Sequence, residues 1–339
     1  MAERLIQIVV PAARADQMRE LIRSAGFMEM RQDSSDSAHM FTVHLPAEKV
    51  ESLLDPIEAA FGHTPGFHAF VLAIEAALPR PPEPEKPPPD NADDTDQPRP
   101  ALSRVSREEL YSDLNELARV TPVYIAMVIL STIVAAIGLS RNNAAVVIGA
   151  MVMAPLLGPN MALSLATTLG DSKLASRAGR TSLLGFLVAT VIALLCGLLL
   201  NVDVASAEIV GRTYVAPSDI AVALAAGVAG ALAFTTGVPS SLVGVMVAVA
   251  LLPPLVVCAM LIVNGLYNEA LGALLLLMCN VVSINLAGVA TFLARGVSPR
   301  TWWDTKRSKR MTKRALAVWI TLLIIVAALI VFSDLSREL

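Results

Sequence analysis

Past residue 120 this sequence has very little charge. Residues 1–120 hold 12 Lys/Arg and 21 Asp/Glu, whereas residues 121–339 hold 14 and 8. Such a shift implies two solvents, water first and lipid second. Cysteine is scarce too. Cys196, Cys258 and Cys279 all lie in apolar stretches, so no disulfide framework is visible, and they read as small core residues ahead of any redox or metal role. The apolar run at residues 4–10 is too short for a secretory leader, and no cleavage site follows it. Motifs of catalysis are missing as well: there is no H-E-x-x-H, no P-loop and no G-x-S-x-G. The chain is therefore expected to be no enzyme, and no cofactor is implied. The pI of 5.9 averages two unlike parts and points to no partner, and no nucleic-acid partner is expected.

What is present begins with an α+β pattern over residues 1–78. Residues 4–10 read as a strand. Met18, Leu21, Ile22 and Ala25 sit at helical spacing, and Gly26 stops that helix. Two strands, Phe27–Arg31 and His39–Leu45, flank a polar turn. A second helix over 46–61 lines up Val50, Leu53, Leu54, Ile57 and Phe61, and Phe67–Ile74 is a fourth strand. The order βαββαβ predicts a ferredoxin-like soluble domain, a fold that selects no function by itself. His39 and His44 have opposite parity on one strand, which argues against a shared metal site. Residues 79–102 read as a disordered linker, since nine of the 22 residues from 79 to 100 are proline and most others are polar or acidic. Over 103–120, Ser106 and Glu109 form a capping box ahead of Leu110, Leu114 and Leu117. This predicts a short amphipathic helix at the membrane surface.

Seven apolar stretches follow, at 122–139, 144–169, 181–200, 218–237, 240–263, 270–294 and 315–332. Each is near the roughly 20 residues that cross a bilayer. The chain thus reads as a polytopic α-helical membrane protein with about seven transmembrane helices. Gly149-Ala-Met-Val152 aligns with Gly244-Val-Met-Val247 at an offset of 95, and so do Leu156-Leu157 with Leu251-Leu252 and Pro159 with Pro254. The reading is a 3+3 repeat, residues 121–200 and 216–295, with the seventh helix at 315–332 left over. Three crossings per repeat invert the second copy relative to the first.

Charge sets the orientation. With seven spans and a cytoplasmic N-terminus, 15 Lys/Arg from Arg99 to Arg314 fall inside, and three, Arg141, Arg212 and Arg337, fall outside. If stretches two and five were re-entrant the split would be 13 to 5. Full spanning is preferred, which puts the C-terminus outside.

Each repeat carries prolines at its middle stretch, Pro155 and Pro159 in one, Pro253 and Pro254 in the other. Proline removes a backbone donor and frees carbonyls that need partners in hydrocarbon. The alternative is a simple packing kink. No Asp, Glu, His, Lys or Arg is centred in any span, so a buried proton relay is not evident. The candidate substrate-binding residues are Pro155, Gly158, Pro159, Asn160, Pro253, Pro254, Asn280 and Asn285, the asparagines serving equally as helix–helix glue. Helix starts at Pro159 and Pro254 slightly favour a small anion or an acceptor-bearing solute over a bare cation.

Ala145-Val-Val-Ile-Gly-Ala-Met-Val-Met-Ala-Pro-Leu-Leu-Gly-Pro159, with Gly170-Asp171 after it, resembles the signature of a prokaryotic membrane family catalogued as domain of unknown function 389. Ala248–Leu255, Gly272–Leu276 and Asn280 look like its second half, so the resemblance covers roughly 105–295. It implies a bacterial or archaeal plasma (inner) membrane and carries over no residue roles. The leading expectation is a transporter or channel for a small solute or ion, with the cytoplasmic domain as regulator. The alternative is a membrane-anchored sensor or scaffold acting through the ferredoxin-like domain. The partners expected are membrane lipids, the solute or ion, and further copies of the chain in a homo-oligomer.

Overall fold

The computed structural model describes residues 3–27, 29–34, 37–74, 105–200, 203–236, 251–297, 312–313 and 316–331. The linker read at 79–102 lies outside them. The chain divides into two compact units, Met1–Glu109 and Leu110–Leu339.

The first unit runs β1 (Glu3–Pro11), α1 (Ala15–Ser24), β2 (Glu29–Ser34), β3 (Ala38–Pro46), α2 (Val50–Phe61) and β4 (His68–Ile74). The four strands form one antiparallel sheet in the order β2-β3-β1-β4. Alternation decides its faces. Ile6, Ile8 and Val10 of β1 and Phe41, Val43 and Leu45 of β3 point to the core. Met18 and Ile22 of α1 and Val50, Leu53, Leu54, Ile57 and Phe61 of α2 close over them. The predicted apolar faces of both helices are those that are buried. On the other face of the sheet Leu5, Gln7 and Val9 are half-buried, and Phe70 and Leu72 on the edge strand β4 are 51% and 43% exposed.

Helix α3 (Arg107–Leu117) starts as its capping residue dictates, with the Ser106 hydroxyl accepting from the Glu109 N–H at 3.2 Å. The Glu109 carboxylate does not close the box. It takes a bidentate pair from Arg4 at 3.1 and 3.0 Å, while Arg107 donates to Asp55 at 2.7 Å and its backbone N–H to Glu51 at 2.9 Å. Of the three leucines read as the apolar side of α3, Leu110 and Leu114 are at most 1% exposed and so are covered by protein, whereas Leu117 is 37% exposed.

The second unit is helical. α4 (Pro122–Ser140), α7 (Ser172–Leu199), α9 (Pro217–Thr236) and α11 (Tyr267–Ala294) are each long and apolar enough to cross a membrane. α5 (Ala144–Met153) and α6 (Leu157–Leu169) make a fifth such element if taken together, bent by 52° at their junction. A single turn, α8 (Ala207–Val210), and two shorter apolar helices, α10 (Leu252–Val263) and α12 (Leu316–Val331), complete the described elements. Most of stretch five's first half, read from 240, is outside the described residues. The composition, length and number of these helices make this a polytopic helical membrane protein.

Helix starts recur at one spacing. α4 and α9 begin at Pro122 and Pro217, α6 and α10 at Leu157 and Leu252, and α7 and α11 at Ser172 and Tyr267, each pair 95 residues apart. The stops agree: Gly170 after α6 and Gly265 after α10, also 95 apart, are both left-handed, at φ 69° and 74°. That conformation ends a helix and suits glycine.

Candidate functional site

The junction between α5 and α6 follows from two prolines. Pro155 cannot donate to Met151 O, and Ala154 N–H takes that carbonyl instead at 3.2 Å, closing α5 with a tightened turn. Ala154 itself is extended, at φ −75° and ψ 117°, as a residue before proline prefers. Pro159 sits in the first turn of α6, where the missing N–H costs least. Pro253 and Pro254 occupy the corresponding turn of α10. The second halves begin at Leu157 and Leu252, two residues before the prolines from which the sequence reading started them.

Both half-helices are enclosed. Eleven of the 13 residues of α6 and ten of the 12 of α10 are buried, including Gly158, Pro159, Pro253 and Pro254. A helix buried all round belongs to the centre of the fold. Their packing is reciprocal: α6 lies against α7 and α11, and α10 lies against α11 and α7. Each of these two short helices thus touches the long helix that follows it and the other long helix of the pair, whose starts lie 95 residues apart. Glycines permit the approach. A Cβ on Gly288 of α11 would stand 2.7 Å from Ser164 Oγ of α6, and one on Gly158 would stand 2.9 Å from Leu117 Cβ.

Between α6 and α11 lies a buried polar cluster. Asn160, Ser164 and Asn285 are at most 1% exposed. Asn285 Nδ2 donates to Asn160 Oδ1 at 3.1 Å and to Val281 O at 2.8 Å, and Asn160 Nδ2 donates to Leu156 O at 2.8 Å. Ser164 Oγ is 3.2 Å from each of three acceptors, Asn160 O, Asn285 O and Asn285 Oδ1. One turn on, Thr168 Oγ1 donates to Ser164 O at 2.9 Å. None of these side chains carries formal charge.

The structure therefore brings Asn160 and Asn285 together and leaves Asn280 apart. Five helical residues separate Asn280 from Asn285, about 140° around the axis. Asn280 is buried, and its neighbours Leu276 and Cys279 pack with Val215, Val326 and Ile330 on that other side. Ser164 was missed by the sequence reading. Its signal was present in the i, i+4 spacing from Asn160, which puts both on one face of a helix. Among the described residues no group of His, Cys, Asp or Glu is arranged to hold a metal ion.

A membrane-embedded helical core with two enclosed half-helices and a neutral polar cluster defines the class: an integral membrane protein of the polytopic helical kind. The chain belongs to the family described as Domain of unknown function (DUF389), whose match covers residues 151–286 and so spans both half-helices. It is 34% identical over 282 residues to "Uncharacterized protein MJ0678" of Methanocaldococcus jannaschii, covering 83% of this chain and 84% of that one. No solved structure matches.

Proposed function

We propose that this protein is a secondary transporter or channel for a small solute or ion, not an enzyme, built from two inverted repeats plus a seventh helix. The reciprocal packing of α6 and α10 on α7 and α11 carries this reading. Two copies related by an axis in the membrane plane place each half-helix against the other copy's long helix, and broken helices at such an interface line the sites of secondary transporters. The common 95-residue spacing of helix starts and of Gly170 and Gly265 supports the repeat. On this reading the chain crosses a prokaryotic plasma membrane seven times, with its N-terminus cytoplasmic and its C-terminus outside. It contacts lipid along its outward apolar residues and works as a homo-oligomer. The N-terminal unit is ferredoxin-like, supported by its element order and its β2-β3-β1-β4 sheet, and it regulates the membrane unit.

The test is access to the break. In a background with Cys196, Cys258 and Cys279 replaced by Ala, a cysteine at Ala154 is exposed to a small charged thiol reagent in right-side-out and inside-out vesicles. A transport path predicts labelling from at least one side, and protection by the solute that is carried. No labelling from either side would mean that the break is packed dry and would favour the second reading, a sensor or scaffold. That second reading has its own observation, the exposed Phe70 and Leu72 on the edge strand β4.

A further inference from the structure

We infer that Lys173, Arg177 and Arg180, on the first turns of α7, bind the headgroup of an anionic phospholipid whose acyl chains lie along Leu184, Leu187 and Val191 of the same helix. This goes beyond the transport reading and needs only that α7 crosses the bilayer. The six positions recur every three or four residues, and Leu195 and Leu198 continue the series. At 3.6 residues per turn all eight fall on one arc of about 80°. Every one of them is exposed, the five aliphatic residues by 37% to 69%. The opposite face, with Leu174, Ala178, Ala189 and Ala193, is buried. A single strip of outward surface thus turns from basic to aliphatic between Arg180 and Leu184.

Length sets the depth. α7 has 28 residues, about 42 Å, against a hydrocarbon core of about 30 Å. From Thr181 to Leu199 it spans about 27 Å and fills that core. Arg180 and Arg177 then stand within about 5 Å of the boundary, in the headgroup layer. Lys173 is about 10 Å out and reaches back by its long side chain. Charge sets the ligand. Among the described residues none of the three is paired with a carboxylate, and Arg177 donates to the neutral Asn115 Oδ1. Asp171 is already committed: its Oδ1 accepts from the Lys173 and Leu174 N–H groups and its Oδ2 from the Tyr111 hydroxyl. A helix start is itself positive, so an anion is favoured there twice over. Arg119 adds a fourth exposed charge, and the bond from Thr181 Oγ1 to Ala118 O at 2.7 Å holds Arg119 near this end of α7. The bias of basic residues toward one side of a membrane explains which end of α7 they occupy, not their alignment with the lipid-facing strip. That alignment selects a phospholipid over free phosphate, which has nothing to lay along Leu184, Leu187 and Val191.

The experiment uses the full chain, with its three native cysteines replaced by Ala, in bilayers of dioleoylphosphatidylcholine. Leu184→Cys, on the strip, carries a bimane fluorophore. Val222→Cys on α9, where the native side chain is 64% exposed, carries it in the control. Quenching is titrated with phosphatidylglycerol or phosphatidylcholine brominated midway along the chains. At Leu184→Cys the anionic lipid is expected to quench at a roughly 10-fold lower mole fraction than the neutral one, and about 0.5 M NaCl to shrink that preference. Lys173→Gln, Arg177→Gln and Arg180→Gln combined are expected to abolish it, while Val222→Cys shows no preference. If the triple variant does not fold, the lipid and salt comparisons on the unsubstituted strip still decide. Equal quenching by the two lipids at Leu184→Cys overturns the site. So does a preference that is insensitive to salt, that survives in the folded triple variant, or that Val222→Cys shares.

Discussion

Asn285 reaches across 3.1 Å to donate to Asn160, joining two residues 125 positions apart. This bond ties α11 to α6. Hydrogen bonds between membrane helices contribute modestly, about 0.6 kcal/mol on average and up to roughly 1.7. A double-mutant cycle on Asn160→Leu and Asn285→Leu should therefore give a coupling of about 0.5–2 kcal/mol. Unfolding free energies in a bilayer would measure it. Strictly additive losses would mean that the pair does not act as one unit.

Gly288 is expected to be intolerant. A Cβ there meets Ser164 Oγ at 2.7 Å and Ser164 Cβ at 2.9 Å. Gly288→Ala should cost about 1–3 kcal/mol through overpacking. Gly149 makes the control, because a Cβ there meets nothing within 4 Å. Gly149→Ala should be neutral or gain up to about 1 kcal/mol from helix propensity. The unfolding midpoints of the two variants should move in opposite directions or differ plainly in size.

Glu108 predicts a pH dependence. Burial pushes its carboxyl above the usual value, against the pull of the Arg107 guanidinium 3.1 Å away. An acid whose pKa is raised in the folded state holds its proton more tightly there. The folded state is then favoured at low pH and loses that advantage as pH rises through 4.5 toward the raised value. Glu108→Gln should raise the unfolding temperature at pH 7, and the gain should shrink toward zero below about pH 4.5. A gain that stays constant across pH would show that the carboxyl's charge is not its cause.

The N-terminal unit was legible because water and core divide its side chains. Val50, Leu53, Leu54, Ile57 and Phe61 stand on one stripe in the sequence and all are buried. Ser106 was legible as a cap for the same reason, that its hydroxyl has a local partner in the Glu109 N–H. In the membrane unit the break between α5 and α6 was legible through Pro155 and Pro159, whose backbone demands are local. Which polar residues meet was not. α6 is buried nearly all round, so it shows no apolar stripe from which to infer a facing side. The partnership of Ser164 with Asn285 spans 121 residues, and no local pattern records it. Asn280 and Asn285 look equivalent in sequence and face about 140° apart on one helix.

The central claim is that the two halves are copies in opposite orientation, and equivalent positions test it most directly. Ser172 at the start of α7 and Tyr267 at the start of α11 are 95 residues apart and both exposed. Single cysteines at these sites, in the background free of native cysteine, are labelled with a membrane-impermeant maleimide in right-side-out and inside-out vesicles. Inverted copies predict that Ser172→Cys reacts from the cytoplasmic side and Tyr267→Cys from the outside. Reaction of both from the same side would contradict the account.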